Sequence, residues 1–151
     1  PFPRIPYAEC MERFGLDAPD LRYDLELKTI KHIFKNTSFN VFKEAANTEG
    51  LTVKALNLKG GGEKLSRQKI DDMGKFVSIY GMKGLAWIKV GESEWQSPIV
   101  KFFNDEEKAA LQKELNMEPG DLVFFGAGKT KVINDGLGNL REKLAELTGL
   151  I

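Results

Sequence analysis

Short apolar runs broken by glycine and proline alternate along this chain with segments whose apolar residues recur every three or four positions. That mixture is expected of strands and helices packed together. Residues 7–14 fit a short helix that Gly15 ends, and residues 29–34 fit one or two further turns with Ile30, Ile33 and Phe34 on one side. Prolines at positions 1, 3 and 6 keep the opening extended, because each fixes its own φ and biases its predecessor away from helix. Residues 16–27 have no sustained period and read as an ordered loop.

From Phe39 onward the pattern changes. Phe39-Asn40-Val41-Phe42 predicts a strand that pairs, across a turn at 47–50, with a second strand over 51–58. Within the second run the apolar positions switch parity between Ala55 and Leu56, so a bulge or the strand's end is expected there. Ser66 is a favourable N-cap, with Leu65 and Ile70 spaced as a hydrophobic staple. Ile70, Met73, Val77 and Tyr80 then follow at helical spacing until Gly81 stops the helix. Residues 85–90, a polar turn at 91–94 and residues 99–103 predict a second hairpin. Asn104 followed by Glu107 makes a capping box for the next helix, which Pro119-Gly120 closes off. Residues 122–125 read as a buried strand, with Val132-Ile133 pairing back on it across a turn at 126–131. A last helix over 134–147 carries Leu137, Leu140, Leu144 and Leu147 on one face, which needs a partner.

The order strand, strand, helix, given twice, predicts an α+β fold: a two-layer antiparallel sheet with helices on one face. Residues 36–133 make a unit of about 100 residues, enough to bury its own core. Residues 1–35 and 134–151 are less self-sufficient and read as the roots of an insertion in a larger host. The first methionine is Met11, which fits an excised piece.

Composition narrows the classes. With 151 residues, 42% hydrophobic and 29% charged, the chain is neither disordered nor collagen-like. No run approaches the roughly 18 apolar residues of a membrane span and no signal-peptide pattern opens the chain, so a cytosolic protein is expected. One cysteine, Cys10, and one histidine, His32, leave no internal disulfide and no Cys/His zinc site, so no metal is expected. Basic and acidic residues balance at 22 each, but residues 51–89 hold Lys54, Lys59, Lys64, Arg67, Lys69, Lys75, Lys83 and Lys89 against Glu63, Asp71 and Asp72. That stretch is locally positive.

The candidate chemistry follows from this bias. Gly60-Gly61-Gly62 with Lys64, Arg67 and Lys69 beside a helix start would suit an anion, and Lys54, Lys59, Lys64, Arg67 and Lys69 are the candidate nucleic-acid contacts. The competing reading is a mobile surface linker with ordinary solvated charges. Gly126-Ala127-Gly128-Lys129-Thr130 fails as a phosphate loop, because the required preceding glycine is Val123. It fails as a dinucleotide fingerprint because the third glycine is Lys131, and with no helix expected directly after Thr130 a plain hairpin turn is the better account. His32 has no partner at a catalytic spacing, and Cys10 reads as a small packed hydrophobe. Asp71-Asp72 and Glu106-Glu107 sit early in helices, where the macrodipole favours them. Trp87 reads as core and Trp95 as half-buried, with stacking on a base as its alternative. No catalytic constellation emerges, which favours a binding or accessory module over an enzyme.

Specific segments then align with a known pattern. Phe2-Pro3-Arg4, Tyr7-Ala8-Glu9, Arg13-Phe14-Gly15, Asp17, Pro19-Asp20-Leu21-Arg22 and Glu26-Leu27 stand at the front. Lys54-Ala55-Leu56, Ser66-Arg67, Gly81-Met82-Lys83-Gly84-Leu85-Ala86-Trp87-Ile88-Lys89-Val90, Ser97-Pro98-Ile99, Lys101-Phe102 and Gly120-Asp121 follow. Leu137-Gly138, Leu140-Arg141 and Thr148-Gly149-Leu150 end the series. The chain resembles, essentially from end to end, a segment of bacterial-type aspartyl-tRNA synthetase, a class II enzyme whose catalytic domain carries a large insertion, the GAD domain. Phe14, Leu16 and Ala18 depart from the residues common in that family. A related module occurs in an archaeal glutamyl-tRNA amidotransferase, but the flanks here look like the synthetase.

The resemblance implies a DCoH-like ββα-ββα insertion at 36–133, flanked by strips of the class II catalytic domain at 1–35 and 134–151. It also implies that the parent joins aspartate to tRNA using ATP and Mg, and that the parent is a homodimer. Its ATP- and aspartate-binding residues belong to motifs outside this segment, so the segment is expected to hold no cofactor and no catalytic residue of its own. Its expected partners are the remainder of the catalytic domain and the tRNA acceptor arm, with no membrane. A free-standing small RNA-binding module and a nucleotide-binding enzyme using residues 126–130 are the rival readings.

Overall fold

The computed structural model describes residues 5–16, 19 and 25–149. Helix α1 (Tyr7–Phe14) ends at Gly15, whose φ of 75° lets its N–H return to the carbonyls of Cys10 and Met11. Strand β1 (Leu27–Thr29) leads into a single 3-10 turn (Lys31–Ile33), and helix α2 (Asn40–Asn47) precedes strand β2 (Leu51–Leu58). A one-turn helix α3 (Gly61–Lys64) joins β2 to α4 (Arg67–Ser78). Strands β3 (Ala86–Val90) and β4 (Trp95–Gln96) follow, then a 3-10 turn (Val100–Phe102), α5 (Asp105–Leu115), β5 (Leu122–Lys129) and α6 (Thr130–Thr148). All strand pairs are antiparallel, in the order β1-β2-β5-β3-β4.

The α+β class and the antiparallel sheet are as expected, but helices lie on both faces of the sheet instead of one. Leu56, Leu58, Trp87, Leu122 and Phe124 face α4 and α6, whereas Val53, Ala55, Ile88, Val123 and Phe125 face α2 and α5. A strand covered on both faces has no polar side, which is why β2 shows a parity switch without a bulge. Its register with β5 runs unbroken from Leu51 opposite Lys129 to Leu58 opposite Leu122.

Two predicted hairpins are corrected. Residues 39–42 do not pair with β2: Asn40 opens α2, because Phe42, Ala45 and Ala46 share a helical face. Phe42 there joins an aromatic cluster, with Phe34 at 5.0 Å, Phe103 at 6.0 Å and Phe125 at 5.9 Å between ring centroids. The partner of β3 across the 91–94 turn is Trp95–Gln96, not residues 99–103. Phe103 is drawn instead into the aromatic cluster, and such pairs contribute roughly 0.5–1.5 kcal/mol beyond area burial.

The third correction concerns residues 126–133. Gly126, Ala127, Gly128 and Lys129 form no turn but extend β5 against Leu51 to Lys54, and Val132 and Ile133 are helical. Helix α6 does begin directly at Thr130, contrary to expectation. A Cβ on Gly126 would lie 2.8 Å from the Met82 methyl and 3.2 Å from Ile133 Cδ1, so the absent side chain leaves the space between β5 and α6 to those two side chains.

The capping residues behave as read. Ser66 accepts the Lys69 N–H at 3.2 Å, and Asn104 and Glu107 form the reciprocal box at 2.8 and 3.0 Å. Helix α5 stops at left-handed Asn116, before Pro119-Gly120, and α4 stops at Ser78, so Tyr80 lies past its end. The leucine stripe of α6 finds its partner within the chain: Leu137, Leu140 and Leu144 are fully buried among α4 and sheet residues, and Leu147 stays partly exposed. The proline-rich opening at 1–4 and most of the predicted 16–27 loop lie outside the described residues.

Candidate functional site

Strand β2 and the α3–α4 corner position the five basic candidates, and they separate into three environments. Lys54 is 1% exposed and faces inward. Its ammonium donates to the main-chain oxygens of Met11 and Glu12 at 3.3 and 3.1 Å and lies 3.6 Å from the Glu12 carboxylate. Burial pushes this lysine below its usual range, against the pull of Glu12. It binds the chain's own α1 and is not on the surface that a polyanion would meet.

Lys59 belongs to a closed polar network around Asp121. The buried Asp121 carboxylate accepts from Lys59 Nζ at 2.8 Å, from the N–H groups of Glu118 at 2.9 Å and Gly60 at 3.1 Å, and from Asn57 Nδ2 at 3.2 Å. Burial alone would raise its pKa, but the Lys59, Glu118, Gly60 and Asn57 donors hold it below the ordinary carboxylate range. Lys59 also reaches Glu118 at 3.0 Å, and although burial opposes it, the two carboxylates raise its pKa.

The triglycine is therefore neither a free anion loop nor a mobile linker. Gly60 donates to Asp121, and Gly62 donates to the Gly120 oxygen at 2.9 Å, under the aliphatic stem of Lys89. Both glycines after Gly60 are buried, and a Cβ on Gly61 would meet Leu58 at 2.6 Å. Asp121 is the organiser of this corner that sequence reasoning misses; its signal is the Gly120-Asp121 pair directly before a buried strand.

Lys64, Arg67 and Lys69 remain exposed together at the α3–α4 corner. Arg67 lies 5.0 Å above the Trp87 ring and 3.4 Å from Asp71, so its guanidinium is oriented while still largely solvent-facing. Of the five candidates, these three are the ones that lie exposed outside the Asp121 network.

The remaining singled-out residues take the quieter roles. Cys10 is buried with its thiol toward the Ile5 oxygen, and His32 sits at the surface 3.9 Å from Glu114. Trp87 is core and Trp95 half-buried. Among the described residues, no group of three or more His, Cys, Asp or Glu side chains stands ready for a metal, and no helix is long and apolar enough to cross a membrane.

The GAD domain profile matches residues 42–137, from α2 into the buried stripe of α6. The chain belongs to the GAD domain family. Similarity extends beyond the GAD domain to the whole chain. It is 53% identical over 152 residues to the "Aspartate--tRNA(Asp/Asn) ligase" of Desulfatibacillum aliphaticivorans, covering 100% of this chain and 25% of that relative. It is 50% identical over 151 residues to the enzyme of the same name from Desulfosudis oleivorans, again covering 100% and 25%. It is 49% identical over 151 residues to the "Aspartate--tRNA ligase" of Halalkalibacterium halodurans, with the same coverage. The chain thus spans about a quarter of the length of the curated relatives it matches.

The GAD match ends partway along α6, yet flank and GAD residues share one core. Leu25 and Leu27 pack in the same cluster as Leu56 and Leu122, and β1 is hydrogen-bonded to β2. Arg141, fully buried in α6, donates to the Leu25 oxygen and lies 4.5 Å above the Phe14 ring. Helix α1 is tied to β2 by Lys54, and the Leu25 and Phe14 region is tied to α6 by Arg141.

Proposed function

We propose that these residues are the insertion segment of an aspartate–tRNA ligase: a GAD domain rooted by catalytic-domain strips at both ends, acting as an accessory module near the tRNA acceptor arm. The observation that carries this reading is near-50% identity along all of the chain, flanks included, to ligases about four times its length. The exposed Lys64, Arg67 and Lys69 corner is the face assigned to RNA.

ATP and Mg are assigned to polypeptide outside these residues, and among the described residues the two features that would suit them are already engaged. The Asp121 carboxylate is saturated by four donors, and Gly126 to Lys129 are spent in a sheet ladder. Joining aspartate to tRNA, dimerisation of the parent and a cytoplasmic location belong to the same proposal.

The test is aspartylation by the full-length protein with Lys64, Arg67 and Lys69 changed to alanine. The KM for tRNA rises several-fold and its dependence on salt becomes shallower, while ATP–pyrophosphate exchange driven by aspartate is unchanged. An unchanged KM removes the assigned face. Tight tRNA binding by residues 1–151 alone at moderate salt supports the free-standing RNA-binding module instead, and exchange activity by those residues alone overturns the accessory role.

A further inference from the structure

The GAD match ends at residue 137, but the packing does not change there. Helix α6 runs through that boundary without a proline, and Leu137 before it and Leu140 and Leu144 after it belong to the same core cluster as Ile70, Met73 and Val77 of α4. Helices bend where proline or glycine interrupts them, and Gly136 and Gly138 stand at this boundary. Both are buried and clamped. A Cβ on Gly136 would lie 2.2 Å from Met82 Sδ, and one on Gly138 would lie 2.7 Å from the Phe14 oxygen. These glycines serve close packing and leave no slack for a bend.

Helix α1 lies wholly outside the match, yet three different elements hold it. Lys54 of β2 donates to the oxygens of Met11 and Glu12. Arg13 Nε donates to Glu26, just ahead of β1, at 2.8 Å. Helix α6 meets α1 at Gly15, where a Cβ would lie 2.3 Å from the Asn134 main-chain oxygen. Arg141, past the end of the match and fully buried, donates to the Leu25 oxygen and lies 4.5 Å above the Phe14 ring. Domains joined by small polar interfaces move against each other by default, through a few loop residues that absorb the change. A swing of α1 here would break its contacts with β2, with the lead into β1 and with α6 together. It would also strip two buried cations of acceptors, which is strongly unfavourable.

We infer that α1, β1, the GAD sheet and the whole of α6 are one rigid body with no joint between them, so that any displacement of the GAD sheet is passed undiminished to α1 and to the far end of α6. The inference rests on the reading that the chain belongs to a longer ligase. It makes the exposed α3–α4 corner one end of a lever whose other end is the flanks, and it sets the limits of the moving unit wider than those of the GAD match.

The test measures distances between pairs of nitroxides by double electron–electron resonance in the full-length protein, without and with tRNA. The labels sit on cysteines introduced at exposed positions, with reactive cysteines elsewhere in the ligase replaced and buried Cys10 left in place. Gln68→Cys with Lys113→Cys, both within the GAD match, sets the breadth of distances that one body gives. Ala8→Cys with Lys113→Cys then reports α1 against the GAD domain, and Lys113→Cys with Glu146→Cys reports the far end of α6. Both flank pairs are expected to show a single population as narrow as the reference pair, with no shift on addition of tRNA. A broader distribution, a second population or a tRNA-dependent shift in either flank pair that the reference pair lacks overturns the inference. Aspartylation of tRNA by the unlabelled full-length protein is measured alongside: its absence would overturn the ligase reading, while the distances without tRNA still decide whether flanks and sheet are one body.

Discussion

Lys54 Nζ caps helix α1 from the far side of a strand: it donates to the Glu12 main-chain oxygen at 3.1 Å and lies 3.6 Å from that residue's carboxylate. A cation at the end of a helix meets carbonyls that have no partner within the helix and the negative end of its dipole. Because Lys54 sits on β2 and Glu12 on α1, this side chain ties α1 to the centre of the sheet. Lys54→Met keeps the volume and removes the donor. Amide exchange in Tyr7–Phe14 should then accelerate by about tenfold or more, while β5 is unaffected, as one or two lost bonds to buried carbonyls require. Equal acceleration in β5 would show that Lys54 supports the whole fold and not α1 in particular.

The same burial gives Lys54 an unusual pH signature. Its folded pKa lies below the ordinary 10.5, so the folded chain releases this proton before the unfolded one does. In that window the unfolded state binds more protons, and the unfolding free energy attributable to Lys54 rises with pH. The rise begins at the lowered value and ends near 10.5. Urea unfolding of the unaltered chain and Lys54→Met across the alkaline range should diverge in this direction, and parallel curves would show that the ammonium is not desolvated.

Asp121 works in the opposite range. Its folded pKa is depressed below 3.8, so its stabilisation is fully present above that value and is lost as the pH falls through the folded pKa. Asp121→Asn keeps the shape but sacrifices the charge-assisted bonds to Lys59, Glu118 and Gly60, a loss of about 1.5–3 kcal/mol at pH 7. The difference from the unaltered chain should shrink as the buffer is taken from pH 7 toward pH 3. A difference that does not change with pH would mean the carboxylate contributes by shape alone.

The capping box of α5 is tied to α2 as well. Glu107 closes the box on Asn104 and also accepts from the Thr37 hydroxyl at 3.3 Å, so a local device braces the loop before α2. Asn104→Ala should cost about 1 kcal/mol by thermal unfolding, the usual loss for a cap. No loss would show that the helix start is held by the surrounding aromatic packing instead.

These elements divide sharply by how local their cause is. Helix caps at Ser66 and Asn104 and the stop at Gly15 are legible because the residue and its partner lie within five positions. Residues 39–42 and 99–103 look like strands and are not, because Phe39, Phe42 and Phe103 are β-formers whose state is decided by an aromatic cluster drawn from distant stretches of the chain. The basic bias of residues 51–89 is real, but charge along a sequence does not reveal that Lys54 lies beneath the sheet or that Lys59 is held by Asp121, 62 positions away. Of the five candidates, Lys64, Arg67 and Lys69 stay exposed outside that network, as their place at a helix start allows.

Glycine substitutions separate close approach from mere flexibility. At Gly15 the φ of 75° already penalises a side chain, and a Cβ would collide with main-chain atoms of Asn134 and Gly138 that have no rotamer to yield. At Gly138 an added Cβ would lie 2.7 Å from the Phe14 oxygen, so the same contact fails from the other side. Gly74, in the interior of α4, has open space around it. Gly74→Ala should therefore stabilise the chain by about 0.5–1 kcal/mol through helix propensity. Gly15→Ala and Gly138→Ala should each cost more than about 2 kcal/mol, since overpacking here has to push the helices α1 and α6 away from each other. Thermal unfolding of the three variants checks the pattern. If Gly138→Ala proved neutral, α1 would not be seated on α6 as closely as Gly15 and Gly138 place it.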